Sequence, residues 1–151
     1  MYQELISKLH ALSMYYQTAH WQCKNSVYYA DHLLFDRLYD EASERIDQVA
    51  EKAIGITGNV AIVNLPEILK KTYNEIKSLT YAASENVKFF EDALQMEEAL
   101  LMFCTSQEEG KSVGVRNMLG DIADESESRV YLLKQRLAQK STPIPPITPV
   151  I

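Results

Sequence analysis

The chain is short of the residues that break helices and of those that cross-link folds. It has only two cysteines, Cys23 and Cys104, and they form neither a CxxC pair nor a zinc-ligand spacing. That excludes a disulfide scaffold and leaves two free, partly buried thiols, as expected of a reducing compartment. The five glycines form no loop that could cradle a phosphate. Of the five prolines, Pro66 stands alone, while Pro143, Pro145, Pro146 and Pro149 crowd the end of the sequence. Long stretches free of both breakers predict long helices. No apolar run approaches the ~18 residues of a membrane span. The opening Met1-Tyr2-Gln3-Glu4 has no basic-then-apolar signal, so a cytoplasmic location is expected. Basic residues are outnumbered, 15 Lys and Arg against 21 Asp and Glu, for a net charge of −6. Nucleic-acid binding through the general surface is disfavoured by that balance, which suits the attraction of cations instead.

What is present is helical periodicity. Leu5, Leu9, Leu12, Tyr16 and Ala19 predict a first helix over residues 2–24, broken by Asn25-Ser26. Leu34, Leu38, Ile46, Val49 and Ala53 predict a second over residues 29–54, ended by Gly55. A short β-like run, Val60 to Val63, lies in the connector. Asn64-Leu65-Pro66-Glu67 then reads as the start of a short helix reaching about residue 79. Val87, Phe90, Leu94, Leu101 and Cys104 mark a further long helix over residues 84–107. Val115, Met118, Leu119, Ile122, Val130, Leu133 and Leu137 mark the last, over residues 113–140. Long amphipathic helices of matched length pack as a bundle. The expectation is one all-α four-helix domain, residues 1–140, with a short extra helix in a crossover long enough to span the bundle, as in ferritin-like topologies. A Pro-rich tail, residues 141–151, follows.

The second helix carries the chemistry-bearing pattern. His32, Asp36, Asp47 and Glu51 fall at about 0°, 40°, 60° and 100° around its axis, on one stripe. His32/Asp36 and Asp47/Glu51 are i, i+4 pairs, each able to reach a common point. His20, near the end of the first helix, adds a further imidazole, and mixed imidazole and carboxylate donors suit ferrous iron. Asp36 and Asp47 are about 16.5 Å apart along the axis, too far for one metal cluster. Their numbers are complementary, however: 32 and 51, like 36 and 47, sum to 83. Two copies of this helix, antiparallel about a two-fold axis, would bring His32 and Asp36 of one chain to Glu51 and Asp47 of the other. A solvated acidic face remains open as the other reading, since Asp31, Asp40, Glu41 and Glu44 lie in the same helix.

The run from His20-Trp21 through Tyr28-Tyr29-Ala30-Asp31-His32 and Asp36-Arg37-Leu38-Tyr39-Asp40-Glu41 to Asp47-Gln48-Val49-Ala50-Glu51 closely resembles the Dps family. These are ferritin-like proteins named for DNA protection in starved cells. The likeness is strong over residues 17–52, weaker in the last helix, and confined to helix count in between. It implies a dinuclear iron site with His20, His32 and Asp36 from one subunit and Asp47 and Glu51 from its two-fold mate. It further implies a hollow dodecamer that oxidises Fe(II), typically with hydrogen peroxide, and stores Fe(III) mineral; peroxide and dioxygen both stay open as the oxidant. Trp21 resembles the family's aromatic that absorbs a stray oxidising equivalent; a core indole packing the first helix on the second is its other reading. Many DNA-binding members carry a Lys-rich arm, which this sequence lacks, so DNA is not an expected partner.

Three other readings stay in view. A ferritin or bacterioferritin with its di-iron site inside one bundle needs Glu-x-x-His on two helices, and none occurs here. A helical interaction protein with a vestigial metal site could use the Ile144–Ile151 tail as a ligand. A DNA-condensing protein would need the missing basic arm. His10 is expected to be a partly exposed polar residue. Lys134, Arg136 and Lys140 read as a solvated basic face, and Glu108, Glu109, Asp121 and Asp124 as acids that could line an ion entry.

Overall fold

The structure is a computed structural model that describes residues 1–25, 27–79, 81–82 and 85–139. The Pro-rich tail and residue 140 lie outside the described residues, as do residues 83 and 84, where the sequence places the start of the third long helix. The described residues form five α-helices and one short 3-10 turn, in the order α1 (Tyr2–Gln22), α2 (Tyr28–Thr57), the 3-10 turn (Val60–Ile62), α3 (Leu65–Ile76), α4 (Val87–Ser106) and α5 (Val113–Ala138). Four long helices form the bundle and α3 sits in the crossover, as the periodicity predicts.

The α1 helix buries Leu5, Leu9, Leu12, Tyr16 and Ala19, the stripe that predicts it. Asn25 then turns the chain at a φ of 71°, a left-handed conformation that Asn tolerates better than most residues. The α2 helix differs from expectation at its end. It runs through Gly55 and stops at Gly58, whose φ of 64° provides the left-handed cap. Gly55 costs the helix some entropy but breaks no hydrogen bond, so a glycine alone does not end it. The β-like Val60–Val63 run forms the 3-10 turn, capped by the Asn59 side chain. Asn64 caps α3, accepting from the Glu67 amide, with Pro66 in the first turn. Ser112 caps α5 in the same way, accepting from Val115.

Contacts at the helix ends establish the topology. Asn86, at the start of α4, bonds to Lys24 in the α1–α2 turn, so α4 begins at the end of the bundle where α2 begins. Arg136, at the end of α5, bonds to Asp31 at the start of α2. Thus α2 and α4 are parallel, and α5 returns antiparallel to both. The crossover runs the length of the bundle with α3 laid on α1. Lys8–Glu75 at 2.9 Å, Lys71–Glu4 at 3.2 Å and the Thr72 hydroxyl on the Ser7 carbonyl at 3.3 Å hold it there. Phe35, Phe89, Phe90, Tyr15 and Tyr16 fill the core with the aliphatic stripes. Phe35 and Phe90 meet across the bundle at 4.5 Å between centroids.

The bundle centre is not wholly apolar. Glu97 of α4 and Arg129 of α5 pair there, Nε to Oε1 at 2.6 Å, both sealed from solvent. The Tyr16 and Ser126 hydroxyls also donate to Glu97. Burial first, and the Glu97 carboxylate next, push the Tyr16 phenol well above its usual range. Among the described residues, no helix is long and apolar enough to cross a membrane.

Candidate metal centre

The end of α1 and the start of α2 meet at the corner of the hairpin, and His20 and His32 face each other across it. Their rings stack at 3.8 Å between centroids, 21° from parallel. Each Nδ1 lies 2.9 Å from the other residue's backbone carbonyl oxygen. A carbonyl oxygen can only accept, so each Nδ1 is the donor. Each Nδ1 therefore carries a proton, and the nitrogen left to offer a lone pair to a metal is Nε2. Asp36, one turn along α2, stands with Oδ1 3.7 Å from His20 Nδ1 and is about half exposed. Tyr28 stacks on the outer side of His32 at 5.0 Å.

The remaining predicted ligands stand apart. Asp47 and Glu51 are exposed further along α2 and form no hydrogen bond or ion pair among the described residues. Among those residues, no three His, Cys, Asp or Glu side chains of one chain gather closely enough to hold a metal ion. A single chain thus offers two imidazoles and a neighbouring carboxylate at one end of the α2 stripe and two uncommitted carboxylates at the other. That donor set fits ferrous iron in type, two nitrogens with open lone pairs among hard oxygens. Trp21 is 68 % exposed, which overturns its reading as a core indole packing α1 on α2.

Several residues read from sequence as a solvated charged face are structural. Asp31 is buried, gripped by Arg136 through Nε at 2.6 Å and Nη2 at 2.9 Å. Arg136 also lies over the Phe90 ring at 5.1 Å. The Asp31 pairing belongs to the inside of the bundle, and Arg136 is not part of a free basic patch. Lys134 does lie on an exposed face, paired with the also exposed Glu98 at 3.1 Å. Sequence patterning also misses Asn86, buried at the head of α4. Its Nδ2 donates to the Lys24 carbonyl at 2.9 Å and to Asp31 Oδ2 at 2.8 Å, while its Oδ1 accepts from the Lys24 amide at 3.1 Å. A helix N-cap Asn is a weak sequence signal for such a role; only its neighbours reveal it. Both cysteines are buried, as expected. Burial, with Asp31 adding to it, pushes the Cys23 thiol up to about 12, and burial pushes Cys104 up to about 11. His10 is half-buried, and that burial lowers its pKa.

Comparison with known proteins adds a family. A family model described as a ferritin-like domain matches residues 3–141. A Bacillus anthracis protein named DNA protection during starvation protein 2 is 32% identical over 97 residues, covering 64% of this chain and 54% of that protein. The match thus spans about half the length of that curated relative. Among solved structures, Dps from Thermosynechococcus elongatus superposes with a TM-score of 0.79 at 17% identity, over 93% of this chain and 89% of the other. A Listeria innocua Dps mutant superposes with a TM-score of 0.78 at 20% identity, over 91% and 93%. At such identities the two structures speak for the shared fold alone.

Proposed function

This chain belongs to the ferritin-like family and its relatives there are Dps proteins; on that premise we propose that it is a cytoplasmic mini-ferritin that oxidises and stores iron. The observation that carries the reading is the His20–His32 pair. Two imidazoles donate their Nδ1 protons to backbone carbonyls and keep Nε2 free, beside Asp36. A core or solvated histidine pair has no need of that mutual fixing, whereas metal ligands are held by such outer bonds.

Iron is the substrate. His20, His32 and Asp36 of one subunit, with Asp47 and Glu51 of a two-fold mate along α2, make up the proposed dinuclear site. The exposure of Asp47 and Glu51, and their lack of partners among the described residues, support their availability to a second copy. Two Fe(II) give up one electron each to hydrogen peroxide, which takes two protons and leaves as two waters, so no hydroxyl radical forms. Trp21, exposed beside His20, is the proposed sink for a stray oxidising equivalent. A hollow homo-oligomer, a dodecamer by family analogy, holds the Fe(III) mineral. Nothing in the net charge of −6 favours DNA as a partner.

The test is anaerobic Fe(II) loading followed by peroxide or dioxygen, with ferric absorbance followed in wild type and in the double variant Asp47→Ala, Glu51→Ala. Fast oxidation that collapses in an assembled variant supports the site, and the faster co-substrate identifies the oxidant. Equal, slow oxidation in both leaves a solvated acidic stripe on a helical interaction protein with a vestigial site.

A further inference from the structure

We propose that Asn86 and Asp31 are positioning residues: a buried clamp that fixes the α1–α2 corner and thereby holds His20 and His32 in their mutually bonded, stacked arrangement. The inference rests on the iron reading above for its purpose, but its geometry stands in the metal-free chain.

Three observations point to this role. First, one side chain takes both backbone groups of Lys24. Asn86 Oδ1 accepts from the Lys24 amide and Nδ2 donates to its carbonyl, locking the peptide chain four residues after His20. Second, the same Nδ2 donates to Asp31, the residue immediately before His32. Asp31 is in turn held by both Nε and Nη2 of Arg136, a residue of α5. The corner is therefore tied at once to the head of α4 and the tail of α5. Third, Asn86 occupies the N-cap position of α4, yet makes no side-chain capping bond to its own helix. Asn is among the best N-caps, and α4 gives up that contribution so that the side chain can serve the corner.

The energetics favour a geometric role over a purely stabilising one. Burying the Asp31–Arg136 pair costs desolvation that its attraction offsets only in part, so such pairs are poor devices for stability alone. What the clamp does is remove freedom from a turn whose two flanking helices each present one imidazole. The two Nδ1–H···O=C bonds close only in one register of α1 against α2. A slip of the corner would release both, and each ring could then move its proton to Nε2, blocking the lone pair.

Two readouts test the clamp on the full-length protein. The first is the histidine tautomer in metal-free protein, read from imidazole nitrogen chemical shifts. The second is Co(II) affinity under anaerobic conditions, with the visible ligand-field spectrum. The variants are Asn86→Ala and Asp31→Asn; the latter is isosteric and keeps an oxygen for Arg136, so it serves if the former does not fold. The control is Ile68→Ala, buried between α3 and α1 away from the corner, compared at matched loss of thermal midpoint. The expected result is Nδ1–H in wild type and control, a mixture with Nε2–H in the clamp variants, and Co(II) affinity in the clamp variants lowered about tenfold to hundredfold with a changed spectrum. Clamp variants that keep Nδ1–H and wild-type Co(II) affinity, or a control that loses as much as they do, overturn the proposal. Wild type that takes up no Co(II) overturns the metal reading instead, and the tautomer measurement then decides the clamp by itself.

Discussion

Glu97 and Arg129 form an ion pair at the middle of the bundle, 0 % and 1 % exposed, with Nε 2.6 Å from Oε1. The guanidinium is only partly answered. Its Nη1 has no hydrogen-bond partner among the described residues and reaches Glu125 at 3.9 Å and Glu41 at 4.0 Å. Removing one member leaves a buried charge without its counter-ion. Glu97→Leu is therefore expected to lower unfolding free energy by about 3–5 kcal/mol. The double change Glu97→Leu, Arg129→Met removes both charges and should recover most of that loss. Urea denaturation of the three proteins checks the cycle, and a double variant as weak as the single would refute the buried-charge explanation.

The two-chain site makes a specific prediction for mixed oligomers. Subunits carrying His20→Ala, His32→Ala and subunits carrying Asp47→Ala, Glu51→Ala should each be slow in peroxide-driven Fe(II) oxidation. Unfolded together and reassembled in equal amounts, they should regain about a quarter of the wild-type sites, since half the pairs are mixed and each mixed pair has one intact site. Ferric absorbance measures the recovery. No recovery in correctly sized oligomers would exclude ligands shared across a two-fold axis.

Two glycines of the second helix should respond in opposite directions. At Gly58 the φ of +64° is the left-handed cap, and a side chain there is strained although space is open. Gly58→Ala should cost about 1–2 kcal/mol. Gly55 lies inside the helix with open space at its Cβ position, so Gly55→Ala should add about 0.5–1 kcal/mol. Thermal denaturation of both variants reads the two signs.

The buried thiols set an alkaline limit. Cys23 and Cys104 have folded pKa values of about 12 and about 11, against a reference value of 9.0. Above pH 9 the unfolded chain releases these protons first, so it binds fewer protons than the folded chain and stability falls as pH rises. The thiol contribution is whole below pH 9 and is lost as pH rises through 11 to 12. Denaturant midpoints measured from pH 8 upward should fall, and less steeply in Cys23→Ser. At neutral pH both thiols stay protonated in the fold, so iodoacetamide should label them far more slowly than in urea.

Much of the fold was legible in the sequence because helical periodicity is local. The buried stripe of α1 appears at Leu5, Leu9, Leu12, Tyr16 and Ala19 without reference to any other helix. Asn64-Leu65-Pro66 marks a helix start through the hydrogen bond that the Asn64 side chain makes. Gly55 misled because glycine weakens a helix without stopping it; Gly58, three residues on, provides the left-handed turn that does. The candidate ligands were legible as residue types at helical spacing. Their condition was not. That His20 and His32 fix each other's protons depends on the register of two helices, and nothing along either one encodes it.

The sequence by itself determined how many helices form, roughly where they stop, and which residues could hold iron, because those features arise between residues a few positions apart. Only the tertiary structure decided which charges leave water. Asp31, Glu97 and Arg129 look in sequence like their exposed neighbours Asp40, Glu98 and Glu127. They are buried because a partner from another helix arrives at the same depth: Arg136 for Asp31, and Arg129 and Glu97 for each other. A charge can enter a low-dielectric core only when its counter-ion does, and that meeting is a property of packed helices rather than of any one segment.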